Sequence, residues 1–297
     1  MNTLSNAQNP FVSVIVPVYN GEDVVDKNIE ALLSQDYPKD RYEIIVINNG
    51  STDKTKEIIG RYNVLILDQN EVRTSYAARN KGIHEAKGEI IAFTDADCIP
   101  EDDWISVGVK SLLVQGVDMV GGKIEFFFSN QRTAAELLDS LINLDNKSYV
   151  ELRHSAQTAN FFTYKKMFSL VGFFPDLQIS GGDAFWTNNA WQKGYRLMYD
   201  ENVIVNHPAR GLKALIKKHF RVGVGSIFVW RGRGMSTFWI ICRFMSFLFP
   251  VLIFKLPSLL KKKGEKNIHY PVLRIVVMAY LCSLANACGI IKYMFSK

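Results

Sequence analysis

Over the first hundred residues the apolar positions change period from segment to segment. Val12–Val18 is a short β-branched run, whereas Glu22–Gln35 places Val24, Val25, Ile29, Leu32 and Leu33 at helical spacing. Tyr42–Ile47 reads as a second buried strand, Asp53–Tyr62 as a helix, Val64–Leu67 as a strand, Ser75–Ala86 as a helix and Glu89–Phe93 as a strand. Strands alternating with short helices predict βαβ units, hence an α/β fold with a mostly parallel sheet flanked by helices. In such sheets ligands collect outside the carboxyl ends of the strands.

Later segments are less regular. Met119–Phe128 reads as a strand, Thr133–Tyr149 and Tyr164–Leu170 as helices, and Gly181-Gly182 opens a helix over Asp183–Lys193. Arg196–Val205 is a last strand and Lys213–Arg221 a basic helix. From Thr237 the pattern shifts. Thr237–Leu260 and Pro271–Phe295 are largely apolar and aromatic, separated by Lys261-Lys262-Lys263-Gly264-Glu265-Lys266. The uncharged stretch Ile275–Ile291 would extend about 26 Å as a helix, close to the minimum for a bilayer span. Arg243, Pro250, Lys255 and Pro257 interrupt the earlier segment, which fits an interfacial or re-entrant course better than a lipid-exposed span. The expected division is a catalytic body over 1–207, a basic amphipathic connector over 208–235 and membrane-associated or transmembrane helices over 236–297.

Composition sharpens this division. At 297 residues, 48% hydrophobic and 22% charged, the chain is not a disordered one. Its net charge of +6 conceals an asymmetry: residues 1–207 carry 28 acidic against 19 basic side chains, while residues 208–297 carry 16 basic ones and Glu265 alone. An acidic body with a basic, apolar tail points to a membrane surface or a polyanion. Those cations stand beside apolar segments rather than among exposed aromatics on a polar surface, so no nucleic-acid partner is expected. Cys98, Cys242, Cys282 and Cys288 show neither metal nor redox spacing, which fits a reducing compartment. The first ten residues lack the charged and apolar regions of a signal peptide. The expected location is therefore the cell membrane, with the catalytic part facing the cytoplasm.

The chemistry begins at Thr94-Asp95-Ala96-Asp97, directly after the strand Glu89–Phe93. Two carboxylates two residues apart at a strand end suit a hard cation such as Mg²⁺ or Mn²⁺, which also binds phosphate oxygens; an acidic turn on a solvated face has the same spelling. Upstream, Pro17 and Tyr19 follow the first strand, where an aromatic ring can stack on a nucleobase or pack on a neighbouring loop. Asn48-Asn49 ends the second strand, and an amide can pair with a base edge. Asp183 stands at a helix N-terminus, a position that suits an N-cap as well as a catalytic carboxylate.

The order and spacing of Val14-Ile15-Val16-Pro17-Val18-Tyr19-Asn20, Leu32-Leu33-Ser34-Gln35-Asp36-Tyr37-Pro38, Ile45-Val46-Ile47-Asn48-Asn49-Gly50-Ser51-Thr52-Asp53, Ala77-Ala78-Arg79-Asn80-Lys81-Gly82 and the Asp95–Asp97 pair resemble family 2 inverting glycosyltransferases with the GT-A (nucleotide-diphospho-sugar transferase) fold. The resemblance runs on through Asn160, Val171-Gly172-Phe173-Phe174 and Gly181-Gly182-Asp183 to about Gly225. It implies a donor site of Pro17, Tyr19, Asn20, Asn49, Arg79, Asp95, Asp97 and Arg221, with Asp97 and His207 as metal ligands for Mg²⁺ or Mn²⁺. It implies Asp183 as the general base and an acceptor site including Asn160, Gly182 and Trp186, although Trp186 fits core packing equally well. Two positions depart from the family: Asn48 stands where Asp is more frequent, and Gly182 where an acidic residue usually precedes the catalytic Asp. The activity implied is metal-dependent transfer, with inversion, of a sugar from a nucleoside diphosphate sugar to a hydroxyl of a lipid-linked or other glycan acceptor. The competing readings are a polyprenyl-phosphate glycosyl synthase, whose ionised nucleophile needs no base, and a catalytically silent sugar-nucleotide-binding membrane protein.

Overall fold

The computed structural model describes residues 9–249, 256, 258–261 and 272–295. Pro250, Lys255, Pro257 and the lysine-rich segment after Lys261 lie outside the described residues. The elements in chain order are β1 (Val12–Val18), α1 (Val25–Leu33), β2 (Tyr42–Asn48), α2 (Thr55–Ile59), β3 (Leu65–Asp68), α3 (Ser75–Glu85), β4 (Ile90–Thr94), β5 (Ile99–Pro100), α4 (Trp104–Gln115) and β6 (Met119–Phe127). They continue with α5 (Ala134–Ile142), α6 (Asn146–Arg153), β7 (Asn160–Tyr164), α7 (Lys166–Val171), α8 (Gly182–Gln192), β8 (Leu197–Pro208), α9 (Leu212–Gly232), α10 (Thr237–Ser246) and α11 (Val272–Phe295). The chain forms two compact units. The first comprises residues 1–125, 146–177 and 186–207; the second comprises 126–145, 178–185 and 208–297.

The first unit is built on a sheet of strand order β3-β2-β1-β4-β7-β6-β8-β5. β1 pairs in parallel with β2 and β4, and β2 in parallel with β3. Central parallel strands are covered on both faces, which is why Val12, Val14, Ile15 and Val16 are all fully buried. Beyond β4 the sheet turns antiparallel, through β4–β7, β7–β6 and β8–β5. It is therefore mixed, where the βαβ pattern alone predicted a mostly parallel one. The difference lies in β7, whose Asn-Phe-Phe-Thr-Tyr run sits between β4 and β6; the sequence reading gave no strand there and began a helix at Tyr164. The core beside it is aromatic: Phe93 lies 5.6 Å from Phe174 and 6.1 Å from Phe161, ring centre to ring centre.

The second unit is helical. Leu137, Leu138 and Leu141 of α5 pack with Leu215 of α9 and Ile275, Ala279 and Cys282 of α11. α5 starts with a reciprocal cap in which the Thr133 hydroxyl accepts from the Glu136 N–H and the Glu136 carboxylate accepts from the Thr133 N–H. One helix was expected over Thr133–Tyr149, but it breaks after Ile142. The Asn143 side chain turns back to donate to Asp139 Oδ1 at 2.8 Å, and Leu144 takes φ 53°. α9 runs well past the expected Arg221, to Gly232. Among the described residues, α11 is the one helix long and apolar enough to cross a membrane, with 24 residues and a mean hydropathy of 1.8 over its best window.

Candidate active site

β4 delivers the chain into a four-residue turn, Asp95-Ala96-Asp97-Cys98, closed by the Cys98 N–H donating to the Asp95 carbonyl at 3.0 Å. The chain then pairs briefly with β8, Ile99 opposite Asn206. That register brings His207 beside the turn, where its Nε2 lies 3.4 Å from Asp97 Oδ2. His207 is fully buried, whereas about a third of the Asp97 side chain is exposed. Donor atoms of Asp97, Cys98 and His207 all fall within 4.8 Å of one another. Burial, reinforced by the charges of Asp97 and Asp95, pushes the Cys98 thiol well above its ordinary value of 9.0, so it stays protonated. The donor set left for a hard cation is then one carboxylate and one imidazole, ligand types that suit a divalent ion such as Mg²⁺ or Mn²⁺.

Asp95, the other carboxylate of the pair, points to Arg79 instead. Arg79 Nη2 meets Asp95 Oδ1 at 2.5 Å from the buried face of α3, with its guanidinium 5.7 Å from the centre of the Tyr76 ring. Arg79 is 3% exposed, and its Nε has no hydrogen-bond partner among the described residues. The next residue, Asn80, clasps the Phe174 backbone by donating to its carbonyl at 2.8 Å and accepting from its N–H at 3.1 Å. Sequence reasoning gave Asn80 no role; a polar residue in the quoted Ala-Arg-Asn run was the available signal. Asn28, also missed, donates from α1 to the carbonyls of Cys98 at 2.8 Å and Asp95 at 3.2 Å.

At the ends of β1 and β2, Pro17 stands opposite Ile47, and Tyr19 is 56% exposed. Asn20 adopts φ 48°, and its side-chain oxygen accepts from the Thr52 N–H at 2.8 Å, tying the loop after β1 to the loop after β2. Asn48 is engaged within the protein: it donates to Asp68 at 2.8 Å and accepts from the Ser51 N–H at 3.1 Å. Asn49 differs. Its Oδ1 is buried without a partner among the described residues.

The remaining expected residues divide by surroundings. Trp186 is 2% exposed, stacks on Phe168 at 4.7 Å and donates to the Gly172 carbonyl at 2.5 Å. Asn160 is fully buried; it accepts from the Trp104 indole at 2.9 Å and donates to the carbonyls of Lys123 and Val203 at 2.7 and 2.9 Å. Both are therefore held in the core of the first unit. Gly182, Asp183 and Arg221 belong to the second unit. Gly181, at φ 78°, turns the chain into α8, whose first turn carries Asp183 with its Oδ1 accepting from the Ala184 N–H at 2.9 Å. Arg221 is exposed on α9.

Residues 13–174 match the family model described as Glycosyl transferase family 2. The chain is a family 2 glycosyltransferase. This glycosyltransferase is 41% identical over 297 residues to Glycosyltransferase AglE of Haloferax volcanii, with 96% of each chain covered. It is 26% identical over 268 residues to the Dolichyl N-acetyl-alpha-D-glucosaminyl phosphate 3-beta-D-2,3-diacetamido-2,3-dideoxy-beta-D-glucuronosyltransferase of Methanococcus voltae, covering 84% and 83% of the two chains. In structure it is similar to the mannosyltransferase PcManGT of Pyrobaculum calidifontis, solved with GDP-Man and Mn²⁺. The TM-score is 0.67 at 19% identity, over 98% of this chain and 89% of that one. Staphylococcus aureus TarS 1-349, solved with UDP-GlcNAc, gives 0.54 at 19% identity, over 72% and 66%. These likenesses establish a GT-A-like fold for the glycosyltransferase.

Proposed function

We propose that this glycosyltransferase moves a sugar from a nucleoside diphosphate donor to a hydroxyl of a lipid-linked saccharide, with inversion, at the cytoplasmic face of the cell membrane. The observation that carries the proposal is the strand-end cluster in which Asp97 faces His207 while the neighbouring Asp95 is paired with the buried Arg79. A divalent cation held by Asp97 and His207 would stabilise the negative charge that develops on the departing diphosphate. The buried Asn49 oxygen, without a partner among the described residues, and the exposed Tyr19 ring support base recognition by hydrogen bonding and stacking. Arg79 lines the donor side, and Arg221 adds a cation for the phosphates. Asp183 takes the proton of the acceptor hydroxyl as that oxygen bonds to the anomeric carbon. The bond from that carbon to the diphosphate oxygen breaks on the opposite face, and the configuration inverts.

The acceptor class is supported by the name of the Methanococcus relative, and the metal by the Mn²⁺ bound to PcManGT. Membrane association is supported by α11, about 36 Å long at 1.5 Å per residue, and by α10. On α10, Phe238, Ile241, Cys242 and Met245 form one exposed apolar stripe at helical spacing, with Trp239 beside it. No acidic side chain occurs between Glu201 and Glu265, so this region suits an anionic leaflet.

The test is transfer by the purified full chain with nucleotide sugars, Mn²⁺ or Mg²⁺ and a lipid-linked saccharide. Asp183→Asn should keep donor binding and lose transfer by about 10²–10⁴-fold, the usual contribution of a general base. Near-normal transfer by that variant would favour an already ionised phosphate acceptor. Asp97→Ala should abolish metal-dependent binding of the nucleoside diphosphate.

A further inference from the structure

The buried row of α1 reads Val25, Asn28, Ile29 and Leu32, so a carboxamide occupies a position otherwise kept for aliphatic side chains. Asn28 is fully buried, and a buried amide is costly unless its hydrogen bonds are made. Its Nδ2 reaches two carbonyls, those of Asp95 and Cys98, the first and last residues of the turn that presents the two carboxylates. Carbonyls only accept, so the amide nitrogen must be the atom facing them. Its Oδ1 has no partner among the described residues. The amide is thus half satisfied, and the satisfied half is spent on the turn.

Gln35, just beyond the C-terminus of α1, grips the same segment farther along. Its Nε2 donates to the Glu101 carbonyl at 2.7 Å, and its Oε1 accepts from the Ile105 N–H at 2.9 Å. The Asp36 N–H donates to the Asp102 carbonyl at 2.8 Å. The Leu-Leu-Ser-Gln-Asp-Tyr-Pro run therefore holds the chain downstream of the metal turn, while Asn28 holds the turn itself.

We infer that Asn28 is a positioning residue for metal–nucleotide binding: it fixes the Asp95–Cys98 turn so that Asp97 faces His207 and Asp95 faces Arg79. Asn28 touches neither metal nor substrate and acts through the two carbonyls. This inference rests on the metal reading of the site. Without its two donors, the Asp95 carbonyl is left with the Cys98 N–H as its partner within the turn, and the Cys98 carbonyl loses this amide altogether. The turn can then rotate, and the Asp97 carboxylate departs from His207 even though neither side chain has changed.

The experiment measures Mn²⁺ uptake by the full-length protein, from the loss of the free-ion electron paramagnetic resonance signal, with GDP or UDP present, alongside thermal unfolding. Asn28→Leu, close in size but without donors, should weaken Mn²⁺–nucleotide binding by about 10–100-fold, as removal of an outer-shell partner does. Asn28→Ser, with one donor, should fall between it and the wild type and serves as the test if the leucine variant does not fold. Gln35→Leu, equally buried, should lower the unfolding temperature yet leave Mn²⁺ affinity unchanged. Wild-type affinity in folded Asn28→Leu, or an equal loss in Gln35→Leu, overturns the inference. If Asp97→Ala abolishes uptake while both Asn28 variants retain it, the metal reading stands and the Asn28 inference alone falls. If the wild type takes up no Mn²⁺ with either nucleotide, the metal reading fails first and takes the inference with it.

Discussion

Gly289 of α11 lies against α9 so closely that a single methyl group should part the two helices. A Cβ there would stand 2.2 Å from the Phe220 carbonyl oxygen, 2.8 Å from the Val224 nitrogen and 3.0 Å from the Gly223 Cα. A Cβ on Gly223 would stand 2.1 Å from the Asn286 carbonyl oxygen. All four obstacles are backbone atoms, so no rotamer change removes them. Restoring ordinary contact at 3.4 Å requires the helices to separate by about 1 Å, in an interior packed at crystal-like density. Overpacking of this severity costs toward the upper end of the usual range, ~3 kcal/mol. Alanine returns ~1 kcal/mol through its better helix propensity. Gly289→Ala should therefore lose ~2 kcal/mol, read by urea unfolding of the full chain in one detergent with the helical circular dichroism signal. The Gly223→Ala/Gly289→Ala double variant should cost less than the two singles together, because one separation relieves both clashes. A gain of ~1 kcal/mol in Gly289→Ala, as propensity alone would give, refutes the close crossing.

Two further outcomes follow from the helical unit. Burial first, then the charge of Lys218, hold His219 down from 6.5 to about 4, with Asp139 and Arg210 also acting on it and Asn286 Nδ2 2.8 Å from its Nδ1. The folded state thus binds this proton less readily than the unfolded one: the contribution is intact above pH 6.5 and falls away as pH drops toward 4, by up to ~3 kcal/mol. Stability should therefore fall less steeply between pH 7 and 5 in His219→Gln than in the wild type, and equal slopes would refute the assignment. Asp139 is fully buried and accepts from the Arg210 N–H at 2.9 Å, with Lys218 Nζ at 3.8 Å. Asp139→Ala should cost about 3–5 kcal/mol in the same unfolding assay, the scale for breaking a buried pair; a loss no greater than that of an exposed pair would contradict the contact.

What the sequence disclosed follows the range of the interactions involved. β1, β2 and β4 are runs of β-branched and apolar residues whose pattern is set within the strand, and the Asp95–Asp97 turn follows from the end of such a run. β7 escaped notice because its character comes from its neighbours: Asn160-Phe161-Phe162-Thr163-Tyr164 is a strand through pairing with β4 and β6. The break between α5 and α6 depends on Asn143 turning back to Asp139, a choice that the helical periodicity on either side does not encode. Motif matching set Asn160 and Trp186 beside the acceptor, yet their polar atoms are engaged by Trp104, Lys123, Val203 and Gly172 in the core. Asn28 was hidden for the converse reason: a polar residue in an apolar helical row has meaning only once the carbonyls it serves are in place.

The residues gathered around the Asp95–Cys98 turn are held in a way that bears on the proposed cation site. β5 is only two residues long, and one of them is Pro100, which has no N–H to give a ladder. Pairing with β8 alone would hold the turn weakly. The added restraints are the Glu101 N–H to the Ile204 carbonyl at 3.2 Å and the Asn28 amide on Asp95 and Cys98. All of these are neutral hydrogen bonds. A cationic side chain in the place of Asn28 would add a positive charge beside the carboxylates and so oppose a cation at the proposed site. Neutral amides fix the geometry without adding that charge, and the Arg79 guanidinium is aimed at Asp95 while Asp97 faces an imidazole. The division between the two aspartates, one bound to arginine and one turned toward a buried imidazole, thus depends on where the turn's carbonyls are tied down.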